Sequence, residues 1–277
     1  MNHGPIDLIV EAFGQENERR AAYAQAAERF RTILEELVDE LAELRRSARP
    51  GKPRSFMGTT ARRMETACVP LAESFVTPMA AVAGAVADEM LAALVEGRRL
   101  ERAYVNDGGD IAIHLASGQS MKLAIAETGH GLSDRAEIGS ASPVRGIATS
   151  GWRGRSHSLG IADAVTVLAR TAAAADTAAT LIANAVDLPG HPAIRRAPAR
   201  ELAPDSDLGE RLVTVAVGAL TPAEVARALQ AGRAVAEDFR RRGLIEAAAL
   251  FLCGETITCG RVAQALPETP REELLHA

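Results

Sequence analysis

The sequence predicts an α+β protein in which mixed or antiparallel sheets are covered by alanine-rich helices. Residues 16–46 carry apolar side chains at every third or fourth position, the spacing of a helix with one buried stripe. Short alternating segments separated by Gly-, Asp- or Ser-containing turns recur through residues 100–126 and 249–259, the pattern of antiparallel strands. Aromatic residues make up only 3% of the 277 residues, so Ala, Val and Leu must fill the core, which favours close packing of helix on sheet.

Taken in chain order, residues 6–13 read as an apolar strand ending at Gly14. The helix over 16–46 is charged on its other face and lies outside the core. Residues 49–56 (RPGKPRSF) form a Pro/Gly-rich loop, and 62–72 a short helix that brings Cys68 near the core. Thr77-Pro78 reads as an N-cap followed by proline at the first helical position, opening a helix that stops at Gly97. Its small residues Ala80, Ala81, Ala83, Gly84, Ala85 and Ala87 allow tight packing, a close backbone approach to a ligand, or both. Residues 101–106 alternate as a strand and the Asp107-Gly108-Gly109-Asp110 run turns the chain. Strands over 111–115 and 121–126 then form a hairpin through Ser117-Gly118-Gln119, and 129–143 is a polar loop that frames an opening.

The segment 146–186 is a Gly/Ser-rich loop, an apolar strand and an Ala/Thr helix. Residues 188–209 read as a loop with several prolines, and 213–217 as a strand. Thr221-Pro222-Ala223-Glu224 is a capping box that starts a helix ending near Arg242. Residues 249–253 and 256–259 make a last hairpin, and 261–277 a loosely attached tail. The whole chain, 1–277, reads as one domain.

Composition removes several function classes. The net charge of −5 offers no basic footprint for nucleic acid or an anionic membrane, and few aromatics are available for base stacking. Cys68, Cys253 and Cys259 form no paired framework, and no apolar run approaches the roughly 20 residues of a membrane span. With an N-terminus lacking the basic start of a signal peptide, these features point to the cytoplasm. A Walker loop, the dinucleotide glycine spacing, HExxH and cysteine pairs for zinc are all absent.

Within the Ala/Thr helix, Asp176, Thr180 and Asn184 fall at i, i+4 and i+8 and share one face. A carboxylate among alanines needs a partner. It caps a neighbouring backbone, pairs with a buried arginine, or faces a hard cation such as Mg2+. On an extended segment Arg153, Arg155 and His157 would point the same way, as a basic rim for phosphate or a solvated loop.

Val105-Asn-Asp-Gly-Gly-Asp110, Ile147-Ala-Thr-Ser-Gly151, His157, Ala164-Val-Thr-Val167 and Ala175-Asp-Thr-Ala-Ala-Thr180 stand in an order and at spacings that resemble the ApbE-like superfamily. That superfamily includes Mg2+-dependent flavin transferases, which cleave FAD and attach FMN to a protein threonine. The resemblance is densest over residues 74–187 and is strongest to an uncharacterised branch, which shares the Pro78-Met-Ala-Ala-Val-Ala-Gly-Ala85 run and the segment from His157. It implies Mg2+ at Asp176, the Ala179 carbonyl and Thr180. It further implies a flavin nucleotide against Gly108, Gly109, Asp110, Thr149, Ser150 and Gly151; Asn106 of the polar turn and Arg153 of the basic rim join these as ligand-binding candidates, and His157 and Asp176 are the candidate catalytic residues. The chain departs from the transferases at two places. Their Asp-Pro-x-Thr-Gly motif after the histidine is replaced by His157-Ser-Leu-Gly-Ile-Ala, and their Lys-Gly-Tyr by Ala83-Gly84-Ala85.

Two readings follow. One is a cytoplasmic Mg2+-dependent protein that binds FAD or FMN, or a similar phosphorylated ligand, and cleaves the FAD pyrophosphate or transfers its flavin. The other is a non-catalytic flavin- or metabolite-binding accessory in a redox or sulfur pathway. An Ala-rich surface suits a homodimer in either case.

Overall fold

The computed structural model describes residues 1–124, 135–154 and 156–261. The chain opens with β1 (Asn2–His3) and β2 (Ile6–Gly14), followed by α1 (Glu16–Asp39), α2 (Leu41–Leu44), α3 (Thr59–Cys68) and α4 (Val82–Val95). Six strands come next: β3 (Leu100–Asp107), β4 (Asp110–Leu115), β5 (Ser120–Ala124), β6 (Arg135–Gly139), β7 (Gly146–Ser150) and β8 (Ala164–Ala169). Then follow α5 (Ala172–Ala185), β9 (Ile194–Pro198), α6 (Ala199–Leu202), β10 (Leu212–Val217), α7 (Pro222–Arg241), β11 (Ala247–Leu252) and β12 (Glu255–Gly260).

Eight strands share one sheet in the order β1-β2-β3-β4-β7-β8-β11-β12, and every pairing within it is antiparallel. The fold is therefore α+β, as its alternating strands and periodic helices predict. Alternation along the strands divides the core in two. Ala103, Val105, Ala112, Ala148, Val165 and Val167 pack with the helices, whereas Ile113, Leu115, Ile147 and Leu168 pack with Met121 and Ile138 of β5 and β6. The most heavily buried helices are α4 and α5, which meet each other and the central strands.

Several elements differ from their sequence reading. The first helix stops at Asp39, because Glu40 turns out of the helix and its carboxylate accepts from the amides of Met57 (2.7 Å) and Gly58 (2.9 Å) at the start of α3. Thr77 caps no amide; its hydroxyl donates to Asp207, and Pro78–Ala81 wind as a 3-10 turn before α4. No hairpin joins β4 to β5. β4 pairs with β3 along its length and with β7 at Ile111 and Ala112, while β5 pairs with β6, inside the stretch read as a polar loop. Residues 188–209 likewise are not all loop, since β9 within them pairs with β10.

The last hairpin forms, with Leu252 opposite Glu255 and Cys253 and Gly254 both at positive φ in the turn. That register sets Cys259 opposite Ala248, so it does not meet Cys253, and all three cysteines are free. The apolar stretch Pro78–Val95 is long enough to pass as a membrane span, yet half of it is buried inside the fold. His130, Arg155 and the tail after Arg261 lie outside the described residues.

Candidate functional site

The site begins where α4 crosses α5. Gly84 lies against the backbone of Ala172 and Ala173, and a Cβ there would overlap the Ala172 carbonyl. Such proximity lets each helix lend a carboxylate to the other's early amides, which lack partners within their own helix. Asp88 accepts from the amides of Ala172 (3.0 Å) and Ala173 (2.9 Å), one on each oxygen. In return, the Gly84 amide donates to Asp176 Oδ2 at 3.0 Å. Asp176 thus has a backbone partner, and among the described residues it forms no ion pair with arginine.

Asp176, Thr180 and Asn184 are each partly accessible, while Ala175, Thr177, Ala178, Ala179 and Ala183 beside them are buried. The polar stripe is therefore the less buried face of α5. Burial is the main cause that raises the Asp176 carboxyl well above the usual carboxylate range, followed by the charge of Asp110. Asp107 and Asp88 push in the same direction, and the Gly84 amide opposes them. The Asp88 carboxyl is also raised by burial, against the two helix amides that favour its charge.

Asp107 and Asp110 flank the β3–β4 turn. Gly108 (φ 63°) and Gly109 (φ 116°) occupy conformations that favour glycine, and the Gly109 amide donates to Asn106 Oδ1 at 2.8 Å. Asp110 Oδ1 accepts from the Thr149 amide on β7 at 3.3 Å, and the hydroxyls of Thr149 and Thr166 lie 2.9 Å apart. The turn, the end of β7 and the α5 stripe are thus linked through Asp110. Further along α5, Asn184 Oδ1 accepts from the Leu159 amide (2.8 Å) and the Ser158 hydroxyl (3.2 Å), holding the chain that follows His157.

Other expected residues are arranged differently. Ala179 is buried within the unbroken α5 helix, where carbonyls serve the i to i+4 ladder. Residues 151–154 form a turn, closed by the Gly154 amide on the Gly151 carbonyl at 3.2 Å, so the premise of an extended basic rim does not hold. Arg153 is ion-paired to Asp163 at 3.0 Å. His157 is half-buried, and among the described residues its ring makes no hydrogen bond or ion pair. Also among the described residues, no three His, Cys, Asp or Glu side chains are grouped to hold a metal ion.

Asp88 and Asp163 are the organising residues that sequence reasoning missed. Asp88 carried one signal, its i+4 spacing from Gly84 on a helix of small residues. Asp163 is the acid of the Ala-Asp-Ala-Val run after His157 that carries the resemblance, but that run did not reveal its partners.

A family model described as AbpE bacteria matches residues 1–258. The UPF0280 protein of Methanopyrus kandleri is 33% identical over 179 residues, which cover 64% of this chain and 69% of that protein. The UPF0280 protein of Methanothrix thermoacetophila is 41% identical over 113 residues, 40% of this chain and 46% of its own length. The match thus spans less than half of the Methanothrix relative. The apo crystal structure of Pseudomonas stutzeri flavinyl transferase ApbE superposes with a TM-score of 0.37 and 16% identity, covering 93% of this chain and 75% of that one.

Proposed function

Since the chain belongs to the bacterial AbpE family, we propose that it binds a flavin nucleotide, FAD or FMN, together with Mg2+ beside Asp176, and hydrolyses the FAD pyrophosphate, water attacking one phosphorus as the bridging P–O bond breaks, to FMN and AMP. The observation that carries this reading is the α4–α5 crossing, where the Asp176 carboxyl takes the Gly84 amide at 3.0 Å and is raised well above the usual carboxylate range by burial and by the charge of Asp110. Carboxylates grouped in this way resist ionisation, and a hard divalent cation reverses that balance.

The donors fit such an ion. Asp176 supplies a carboxylate, and Thr180 a hydroxyl one helical turn along the same face. Mg2+ keeps several waters and takes substrate phosphates as ligands, so two protein oxygens suffice to seat it. When bound, the ion supplies charge neutralisation and Lewis acidity at the pyrophosphate. The remaining work falls to the chain. The Gly108-Gly109 turn and the Thr149-Ser150-Gly151 strand end bring backbone close to the ligand, Asn184 fixes the loop beyond His157, and the His157 imidazole serves as the proton acceptor. Three free thiols accord with a cytoplasmic setting.

One observation favours the second reading, a flavin-binding accessory without catalysis. A general base is ordinarily oriented by another group, and His157 has no such partner among the described residues. Calorimetry with FAD and Mg2+ tests the site. Wild type is expected to release binding heat, and Asp176→Ala to lose at least about tenfold in affinity, or about 1.4 kcal/mol. Equal heats from the two proteins would remove Asp176 from the site. Chromatography of the same mixture separates the two readings, because FMN and AMP appear only if the pyrophosphate is cut.

A further inference from the structure

We propose that Trp152 and Arg153 form a stacking arm for the planar aromatic ring of the nucleotide, held in place by Asp163; this rests on the nucleotide-binding reading above. Trp152 is the sole tryptophan of the 277 residues, and it belongs to none of the buried apolar clusters. It stands partly exposed on the turn after β7. Its amide donates to the Ala162 carbonyl at 3.0 Å, and its indole N–H to Asp163 Oδ1 at 3.3 Å. Arg153 Nε lies 3.0 Å from the same oxygen, and the guanidinium carbon sits 5.0 Å from the Trp152 ring centroid. Asp163 is itself pinned, accepting from the Cys253 amide at 2.6 Å through Oδ2 while its own amide donates to the Phe251 carbonyl at 2.9 Å.

An indole that served only packing would be buried with the core. This one is fixed by its N–H and keeps part of its ring in solvent, so little rotamer freedom is left to lose when a ring stacks on it. Arg153 is 66% exposed and Asp163 only 24%, so the carboxylate anchors the arginine from beneath. The guanidinium has five N–H donors in a rigid fork, and those not used on Asp163 suit a phosphate oxygen. A ring surface beside phosphate donors matches a nucleotide. The arm also lies three residues past Thr149, whose amide reaches Asp110, the charge acting most strongly on Asp176.

The test measures FMN, ADP and FAD binding with Mg2+ for wild type, Trp152→Ala and Trp152→Phe, with circular dichroism and melting to confirm folding. FMN presents only the isoalloxazine and ADP only the adenine, so the two ligands identify which ring is stacked. For that ligand the alanine variant is expected to weaken binding by about 5- to 100-fold, and the phenylalanine variant to retain most of it. If the ring is isoalloxazine, FMN emission is quenched in the wild-type complex through contact with indole, and recovers in the phenylalanine complex, which still binds. That spectroscopic readout stands even if the alanine variant fails to fold. Unchanged affinity for both FMN and ADP in Trp152→Ala overturns the stacking arm and leaves the nucleotide reading intact. Failure of wild type to bind any of the three overturns both.

Discussion

At Gly84 the α4 backbone touches the Ala172 carbonyl, so even a methyl group has no room. Gly84→Ala is expected to cost about 1–3 kcal/mol in urea denaturation, the usual range for overpacking a tight contact. Under the function proposed above, it also weakens Mg2+ binding, because the shift that relieves the clash draws the Gly84 amide away from Asp176 Oδ2. A Leu37→Ala control in α1 removes buried volume without touching the Gly84–Asp176 hydrogen bond and, under the same proposal, leaves metal affinity unchanged, which separates the two effects. The stripe of Asp176, Thr180 and Asn184 was legible because helical periodicity alone puts them on one face. Asp88 was not, since its partners are amides 84 and 85 residues away and only the crossing of α4 with α5 brings them together. Asp163 was hidden for the same reason, as it gathers Trp152, Arg153 and Cys253 from two separate loops.

At the level of elements, α7 carries its own start signal. Thr221 accepts from the Glu224 amide, and Glu224 returns a bond to the Thr221 amide at 2.8 Å, completing the capping box its sequence predicts. The Thr221 amide, and then the 2.9 Å contact with His191, hold the Glu224 carboxyl down to about 2 from an ordinary 4.5. A depressed carboxyl contributes stability fully above its unfolded value and loses it as pH falls through its folded value. The melting temperature of wild type should therefore exceed that of Glu224→Gln at neutral pH, with the gap closing between about 4.5 and 2. A gap independent of pH would mean that the carboxylate charge adds nothing. Elements whose signals are local, such as α7, β2 and the last hairpin, were readable from the chain. Those whose partners lie in other segments were not: β5 carries a turn signal toward β4, yet it pairs with β6. Similarly, β9 is rich in arginine and proline and is a strand only because β10 pairs with it.

Across the whole molecule, the order of the sheet makes β2 responsible for more than its own contacts. It pairs with β3 from Leu8 opposite Asp107 to Gly14 opposite Leu100, joining chain segments nearly a hundred residues apart. Its inward residues Ile6, Leu8 and Ala12 are buried with the helices. On its outer side the Met1 carbonyl takes the Leu8 amide at 2.7 Å, and the Tyr23 hydroxyl takes the Ala12 amide at 2.9 Å, so much of that edge is already satisfied. Removing residues 1–14 would delete this finished edge and leave β3 with its backbone bare along its length, next to the turn that carries Asp107 and Asp110. An uncovered strand of that kind recruits other chains. The truncated protein is expected to elute as aggregate on size exclusion with light scattering, where the full chain gives a discrete species. A monodisperse truncation with unchanged far-UV circular dichroism would show that β3 tolerates the loss, and that the β3–β4 turn is positioned by α4 and β7 alone.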